Sequence, residues 1–134
     1  MSGATSLALD IVDIVVLAVD DDPQLLHGMS LRFRSHPFRL LTAAGAHGAL
    51  RILENEAVDV ILVDEGLPGI QGSDFLGIVQ KKYPHVRRIM FTGDPDEASI
   101  GCKISDVEVD AIVAKPCRFE SLVEVISMSV EKTS

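Results

Sequence analysis

The chain contains several short, largely apolar runs, and each is followed at once by a polar residue. In chain order the runs occupy residues 14–19, 58–63, 88–91 and 111–114. Apolar runs of this length, bounded by turn residues, are typical of strands that are buried on both faces of a parallel sheet. We therefore predict that a parallel sheet forms the centre of the fold.

Between and beyond these runs, apolar residues recur at helical spacing. The predicted helices cover residues 23–35, 46–55, 72–82 and 118–131, and a further strand is predicted at 38–43. Asp22 is a suitable N-cap for the first helix, and Pro23 suits its first position. Strand and helix alternate along the chain, which indicates a doubly wound α/β fold with right-handed crossovers.

The segment before the last strand is the weakest part of this pattern. Residues 96–106 contain poor helix formers, and Gly101 alone disfavours a helix by ~1 kcal/mol relative to alanine. We expect any helix here to be short or easily disturbed. Because such a segment rearranges at low free-energy cost, we also expect the output surface to involve residues 94–106 with the neighbouring last strand and last helix.

Length and charge limit the possible classes of protein. The 134 residues suit one domain, which we place at 12–131 between a leader at 1–11 and a tail at 132–134. The net charge of −8 argues against general electrostatic binding to nucleic acid or to an anionic membrane. Cys102 and Cys117 have no metal-binding or redox spacing, and the first residues lack the features of a signal peptide. The expected location is therefore the cytoplasm.

Polar side chains follow the predicted strands at their carboxyl ends. Asp20 and Asp21 follow the first strand, Asp64 follows the run at 58–63, and Thr92 and Lys115 follow the last two runs. Each of these residues alone could be an ordinary turn residue or strand end. Because parallel sheets bind ligands outside the carboxyl ends of their strands, we expect the carboxylates, the hydroxyl and the ammonium to gather at one edge.

This set of side chains suits a divalent cation and a phosphoryl group. Carboxylates held close together repel one another, so a cation is favoured, and Mg²⁺ prefers oxygen ligands. Asp64 could act as a nucleophile toward phosphorus and form an acyl phosphate. Lys115 would pair with the phosphoryl oxygens, and the Thr92 hydroxyl would donate one hydrogen bond to them.

In this order and spacing, the motifs resemble those of the CheY-like receiver domain of two-component response regulators. The motifs are Val19-Asp20-Asp21-Asp22-Pro23, Val63-Asp64 with Leu67-Pro68-Gly69 and Gly72, Phe91-Thr92-Gly93, and Ala114-Lys115-Pro116. The resemblance covers residues about 12–131. It implies a flavodoxin-like (βα)5 fold with a five-stranded parallel sheet in the order 2-1-3-4-5.

The resemblance also implies a role for each site residue. Asp64 would be the phosphoacceptor and a metal ligand, Asp21 would bind Mg²⁺ directly, and Asp20 would bind it mainly through water. The Gly66 carbonyl would supply a backbone ligand, while Thr92 and the lysine would bind the phosphoryl group.

Partners are implied in the same way. The phosphoryl donor would be a phosphohistidine on a sensor histidine kinase or a histidine phosphotransfer protein. The domain would be a signalling phosphoacceptor rather than an enzyme, and it could form a homodimer or be fused to an output domain.

Two residues depart from the pattern of the family. Many members carry tyrosine or phenylalanine three residues before the lysine, and here that residue is Ile112. Isoleucine has no hydroxyl and a stiff χ1, so the usual aromatic switch is in question. Glu65 stands where the family usually has an apolar residue. It could point to solvent, opposite Asp64, or it could add repulsion near the phosphoryl group or a partner.

Two other functions are compatible with parts of the sequence. The chain could be a receiver-like protein-binding module that works without phosphorylation, although such a module would not need the whole set of site residues. It could also be an aspartyl-nucleophile phosphatase, because Asp20 and Asp22 have the two-residue spacing of that chemistry. The use of Asp22 as a helix cap and the short chain argue against the phosphatase.

Overall fold

The computed structural model describes residues 14–93 and 107–131 in full, and it describes residues 103–104 by their backbone. The strands are β1 Ile14–Val19, β2 Phe38–Ala43, β3 Val60–Asp64, β4 Gly66–Leu67, β5 Ile70–Gln71, β6 Arg87–Thr92, β7 Lys103–Ile104, β8 Val107–Glu108 and β9 Ala111–Ala114. The helices are α1 Pro23–Phe33, α2 Ala46–Asn55, α3 Gly72–Lys82 and α4 Phe119–Glu131. The predicted leader and tail lie outside the described residues.

A five-stranded parallel sheet forms the centre of the fold, as predicted. Its strand order is β2-β1-β3-β6-β9, which is the predicted order 2-1-3-4-5 when the long strands are counted along the chain. The predicted cap of α1 is also confirmed, because Asp22 Oδ1 accepts hydrogen bonds from the backbone of Gln24 at 3.0 Å and Leu25 at 3.3 Å.

The third long strand begins two residues later than the apolar run suggested. Val60 is its first residue, whereas the prediction placed the start at Val58. The side chain of Asp59 accepts a hydrogen bond from the backbone nitrogen of Val15 at 2.8 Å. Asp59 therefore acts as a polar support at the amino end of the sheet.

Helices cover both faces of the sheet, and each face has its own hydrophobic cluster. The α2/α3 face contains the β1 residues Leu17 and Val19 with Phe75 and Leu76 of α3. The α1/α4 face contains Val16 and Ala18 of β1 with residues of α1 and α4. Neighbouring residues of one strand thus pack on opposite faces, as the two-residue repeat of a strand requires. This alternation continues into the polar residues at the strand ends. Within the described residues, no helix is both long and apolar enough to cross a bilayer.

The predicted weak helix at 96–106 falls largely outside the described residues. At 103–104 the backbone is a strand, so no helix runs through these two residues. They pair with residues 107–108 as a short antiparallel ribbon. The ribbon packs on α3, where the Gln80 side chain accepts a hydrogen bond from Glu108 N at 2.8 Å.

The first residue of α3 lies in direct contact with the main chain at the end of β3. A Cβ placed on Gly72 would lie 2.4 Å from the carbonyl oxygen of Asp64 and 2.8 Å from the Cα of Glu65. The Gly72 nitrogen donates a hydrogen bond of 2.7 Å to the carbonyl oxygen of Glu65. Only glycine allows this close approach without a shift of the backbone.

We predict that Gly72→Ala lowers the free energy of unfolding by about 1–3 kcal/mol, because the added methyl group forces the two backbone segments apart. Gly28→Ala is the control, since a Cβ on this α1 residue would meet nothing within 4 Å. The control should raise stability by about 0.5–1 kcal/mol through the higher helix propensity of alanine. Urea unfolding of both variants is the measurement. Equal stability of Gly72→Ala and wild type would refute the close contact.

Candidate functional site

The strand ends bring the predicted site residues to one edge of the sheet. Hydrogen bonds between neighbouring strands continue one residue past the regular strands. Asp20 N donates to Ala43 O at 3.1 Å, and Lys115 N donates to Thr92 O at 2.8 Å. The backbones that carry these side chains are therefore held by the sheet itself.

Three of the predicted metal ligands form a carboxylate cluster. Asp20, Asp21 and Asp64 each place a carboxylate oxygen within 4.8 Å of the others. Asp20 is only 3% exposed, whereas Asp21 is exposed and Asp64 is half-buried. Asp20 also accepts a hydrogen bond from the backbone of Asp22 at 2.9 Å, which orients its carboxylate. Carboxylates gathered this closely require a compensating positive charge.

Lys115 supplies positive charge to this cluster. Its Nζ lies 2.7 Å from Asp20 Oδ2 and 2.9 Å from Asp64 Oδ1. Burial lowers the pKa of the Lys115 ammonium, but hydrogen bonds and charge attraction from Asp20 and Asp64 outweigh burial, so its pKa is raised above the ordinary value. The ammonium therefore stays charged at neutral pH and joins the ends of β1 and β3 to the end of β9.

Gly66 also lies beside the acceptor candidate. A Cβ on Gly66 would lie 3.9 Å from Asp64 Oδ2, so the residue approaches the carboxylate closely. By contrast, Asp22 lies outside the carboxylate cluster, because its side chain caps α1. The two-residue pair Asp20 and Asp22 is therefore not assembled as the phosphatase alternative requires.

The Thr92 side chain is engaged by Glu65, the residue for which the sequence left two orientations open. Thr92 Oγ1 donates a hydrogen bond to Glu65 Oε1 at 2.8 Å, and Thr92 is only 2% exposed. The interpretation that Glu65 points to solvent is therefore wrong. The alternation of side chains along β3 and β6 is the sequence signal that places Glu65 and Thr92 on the same face of the sheet. Glu65 follows Val63 by two residues and Thr92 follows Met90 by two, and both apolar residues belong to the α2/α3 face.

Ile112, at the position of the usual aromatic switch, packs as an ordinary apolar residue. It is partly buried against the cluster on the α2/α3 face and pairs with Met90 of the neighbouring strand. Cys117 has a free thiol, while Cys102 lies outside the described residues. Cys117 is not part of the carboxylate cluster found in the described part of the chain.

A groove of about 740 Å³ opens beside the site, between α1 and the start of α4. Lys115 lies at its margin, and its lining includes the apolar side chains of Leu25, Met29 and Phe119 together with Arg32. The Arg32 guanidinium lies 5.7 Å from the centre of the Phe119 ring, which is within cation–π range. The groove thus combines apolar side chains with charged groups of both signs.

Comparison with known proteins identifies the family. The family model of the response regulator receiver domain matches residues 16–127 of this chain. The hydrogenase transcriptional regulatory protein HoxA of Cupriavidus necator is 30% identical over 116 residues, which are 87% of this chain and 24% of that protein. The chain thus spans about a quarter of the length of this curated relative.

Solved structures with the same fold agree with this assignment. The signal receiver domain of an HD domain-containing protein from Pseudomonas fluorescens Pf-5 has a TM-score of 0.82 and 28% identity, with 89% of this chain and 95% of that chain covered. The response regulator protein TrrA from Thermotoga maritima, in complex with Mg²⁺-BeF, has a TM-score of 0.76 and 23% identity, with 87% and 99% covered. The second likeness concerns the fold alone. With the family match over most of its length, the chain belongs to the response regulator receiver domains, the phosphoacceptor domains of two-component signalling systems.

Proposed function

We propose that the chain accepts a phosphoryl group on Asp64 from the phosphohistidine of a sensor histidine kinase or a histidine phosphotransfer protein. One observation carries this proposal. Asp64 lies at a strand end with two further carboxylates within 4.8 Å and a lysine ammonium 2.9 Å from its Oδ1. The ammonium contacts both Asp64 and Asp20, so it can remain in the site while Asp64 changes its bonding.

The proposed transfer needs one bond to form and one to break. A carboxylate oxygen of Asp64 attacks phosphorus, and the phosphorus–nitrogen bond to the partner's imidazole breaks. The imidazole nitrogen keeps the electron pair of that bond, and Asp64 becomes an acyl phosphate. Positioning and charge neutralisation provide most of the catalysis in such transfers.

Lys115 and Thr92 would hold the transferred group. Lys115 would exchange its contact with Asp64 Oδ1 for a contact with a phosphoryl oxygen, while its contact with Asp20 keeps the ammonium in place. Thr92 would donate its hydroxyl hydrogen to a second phosphoryl oxygen once it leaves Glu65.

The carboxylate cluster fits Mg²⁺, because all of its side-chain donors are oxygens and they lie close enough to share one ion. We assign Asp20, Asp21 and Asp64 as side-chain ligands and the Gly66 carbonyl as a backbone ligand. Bound Mg²⁺ would neutralise the carboxylates and the phosphoryl oxygens during transfer.

The groove between α1 and α4 supports a protein as the phosphoryl donor. Its lining includes Lys115 and several apolar side chains, so a partner that packs there would bring its phosphohistidine close to the site. The curated relatives are much longer than this chain and are named as transcriptional regulatory proteins. We propose that an attached or separate output partner reads the phosphorylated state.

We predict that acetyl phosphate with Mg²⁺ labels the protein on Asp64. Peptide mapping of the added mass is the measurement, and Asp64→Asn should remain unlabelled because an amide is a poor nucleophile. Full labelling of Asp64→Asn, or a label on another residue, would exclude Asp64 as the acceptor. A wild-type protein that takes no label would instead favour a module that acts without phosphorylation.

Mg²⁺ should raise the melting temperature, because a ligand of the folded state stabilises it by ~2.7 kcal/mol at a hundredfold excess over Kd. Asp21→Ala should lose most of this rise. Asp22→Ala is the matched control, since it removes a neighbouring carboxylate that caps α1. The control should be less stable by about 1 kcal/mol but should keep its response to Mg²⁺. Similar responses of Asp21→Ala and wild type would refute the metal site.

Lys115→Ala should separate phosphoryl binding from metal binding. We expect beryllofluoride binding to weaken at least tenfold, because the loss of a charge-assisted contact costs roughly 1.5–3 kcal/mol. Affinity for Mg²⁺ should be unchanged or higher, because the ammonium competes for Asp20 and Asp64. Calorimetric titration with each ligand is the measurement. Loss of Mg²⁺ binding in this variant would contradict the role given to Lys115.

A further inference from the structure

We propose that Glu65 is a positioning residue that holds the Thr92 hydroxyl away from the phosphoryl site until the phosphoryl group displaces it. This inference rests on the proposed phosphoacceptor function. Glu65 would compete with the phosphoryl group for the Thr92 hydroxyl and so would set how strongly the site binds that group. The contact between Glu65 Oε1 and Thr92 Oγ1 is called the Glu65–Thr92 contact below.

The backbone holds both residues of this contact in place. Glu65 N donates to Phe91 O at 3.0 Å, which extends the pairing of β3 with β6 by one residue. The Glu65 carbonyl accepts from Gly72 N at 2.7 Å, and the Thr92 carbonyl accepts from Lys115 N at 2.8 Å. The 2.8 Å side-chain contact is therefore a consequence of strand register and not of a loop that could lie elsewhere.

Thr92 can donate its hydroxyl hydrogen to only one acceptor at a time. A threonine hydroxyl carries a single hydrogen, and ionised carboxylates and phosphoryl oxygens only accept. When Thr92 donates to Glu65, it cannot donate to a phosphoryl oxygen at the same time. The negative charge of Glu65 also repels a phosphoryl group next to it. Phosphoryl binding must therefore break the Glu65–Thr92 contact.

The side chain of Glu65 can rotate out of the Glu65–Thr92 contact. Glu65 is half-buried, so its carboxylate can rotate to water while its backbone keeps both hydrogen bonds. Thr92, by contrast, is buried. The exchange of partners would thus displace the Glu65 carboxylate and release the Thr92 hydroxyl to turn toward the phosphoryl group.

This competition lowers the apparent affinity for a phosphoryl group. A ligand that binds only the open state has a Kd that is raised by the reciprocal of the open fraction. A hydrogen bond to a charged group is strong enough to keep the open fraction at roughly one tenth or less. We therefore expect removal of the glutamate to tighten phosphoryl binding by about tenfold.

Calorimetric titration with beryllofluoride in saturating Mg²⁺ tests the proposal on the whole chain. Glu65→Ala should bind about tenfold more tightly than wild type. Glu65→Gln should fall between them, because its amide oxygen still accepts from Thr92 but carries no charge. Glu54→Gln removes the same charge from an exposed residue of α2 and should match wild type. Asp64→Asn should abolish binding and show that the signal comes from the site.

The same titration in a Thr92→Val background separates the contact from simple charge repulsion. Without the hydroxyl there is nothing for Glu65 to hold, so Glu65→Ala should tighten binding by about threefold or less. An equal gain in both backgrounds would show a charge effect alone and would overturn the proposal. If Glu65→Ala does not fold, Glu65→Gln in both backgrounds gives the same comparison.

Two further results distinguish this inference from the proposed function. If wild type neither binds beryllofluoride nor takes up phosphate, the phosphoacceptor function itself is wrong, and the inference fails with it. If wild type binds and Glu65→Ala binds equally, only the role of Glu65 is wrong. A crystal structure of the beryllofluoride complex in which Thr92 still donates to Glu65 would also refute the exchange of partners.

Discussion

The Lys115 ammonium makes the rest of this site possible. Parallel strands bring Asp20 and Asp64 together because of where the strands end, and these carboxylates would repel one another without a cation. Lys115 touches both at less than 3 Å and comes from the edge strand β9. The ion pairs therefore connect three strands of the sheet at the place where chemistry would occur. Mg²⁺ and a phosphoryl group would enter a site whose charged side chains are already held in place by these ion pairs.

Each side of the sheet contributes a different part of the site. Asp64 follows Val63 and Glu65 follows Asp64, so the two acidic residues project toward opposite faces. The acceptor lies with Asp20 and Lys115, whereas Glu65 lies with Thr92. With the roles proposed above, one strand end would carry both a nucleophile and a competitor for the group that would bind the product. Phosphoryl binding would exchange contacts on both faces at once.

Much of the fold could be predicted because its signals are local. Apolar runs, the cap at Asp22 and helical spacing are each visible within a few residues, and together they predicted the five-stranded sheet. The strand at 103–104 could not be predicted, because a pair of two-residue strands leaves no repeat in the sequence and depends on contact with α3. The contact of Glu65 with Thr92 depends on the register of two strands that are distant in sequence.

Asp64, the proposed acceptor, is held by closely packed main chain as well as by the Lys115 side chain. Gly66 approaches the Asp64 carboxylate, and Gly72 packs on the peptide that follows it. Between these glycines, Pro68 and Gln71 are exposed, and Gln71 pairs with Gly66 through the antiparallel backbone of β4 and β5. Substitutions at these exposed side chains can therefore change the surface around Asp64 without moving the Asp64 carboxylate. A hairpin of this kind would allow related domains to keep the same chemistry while each presents a different surface to its partners.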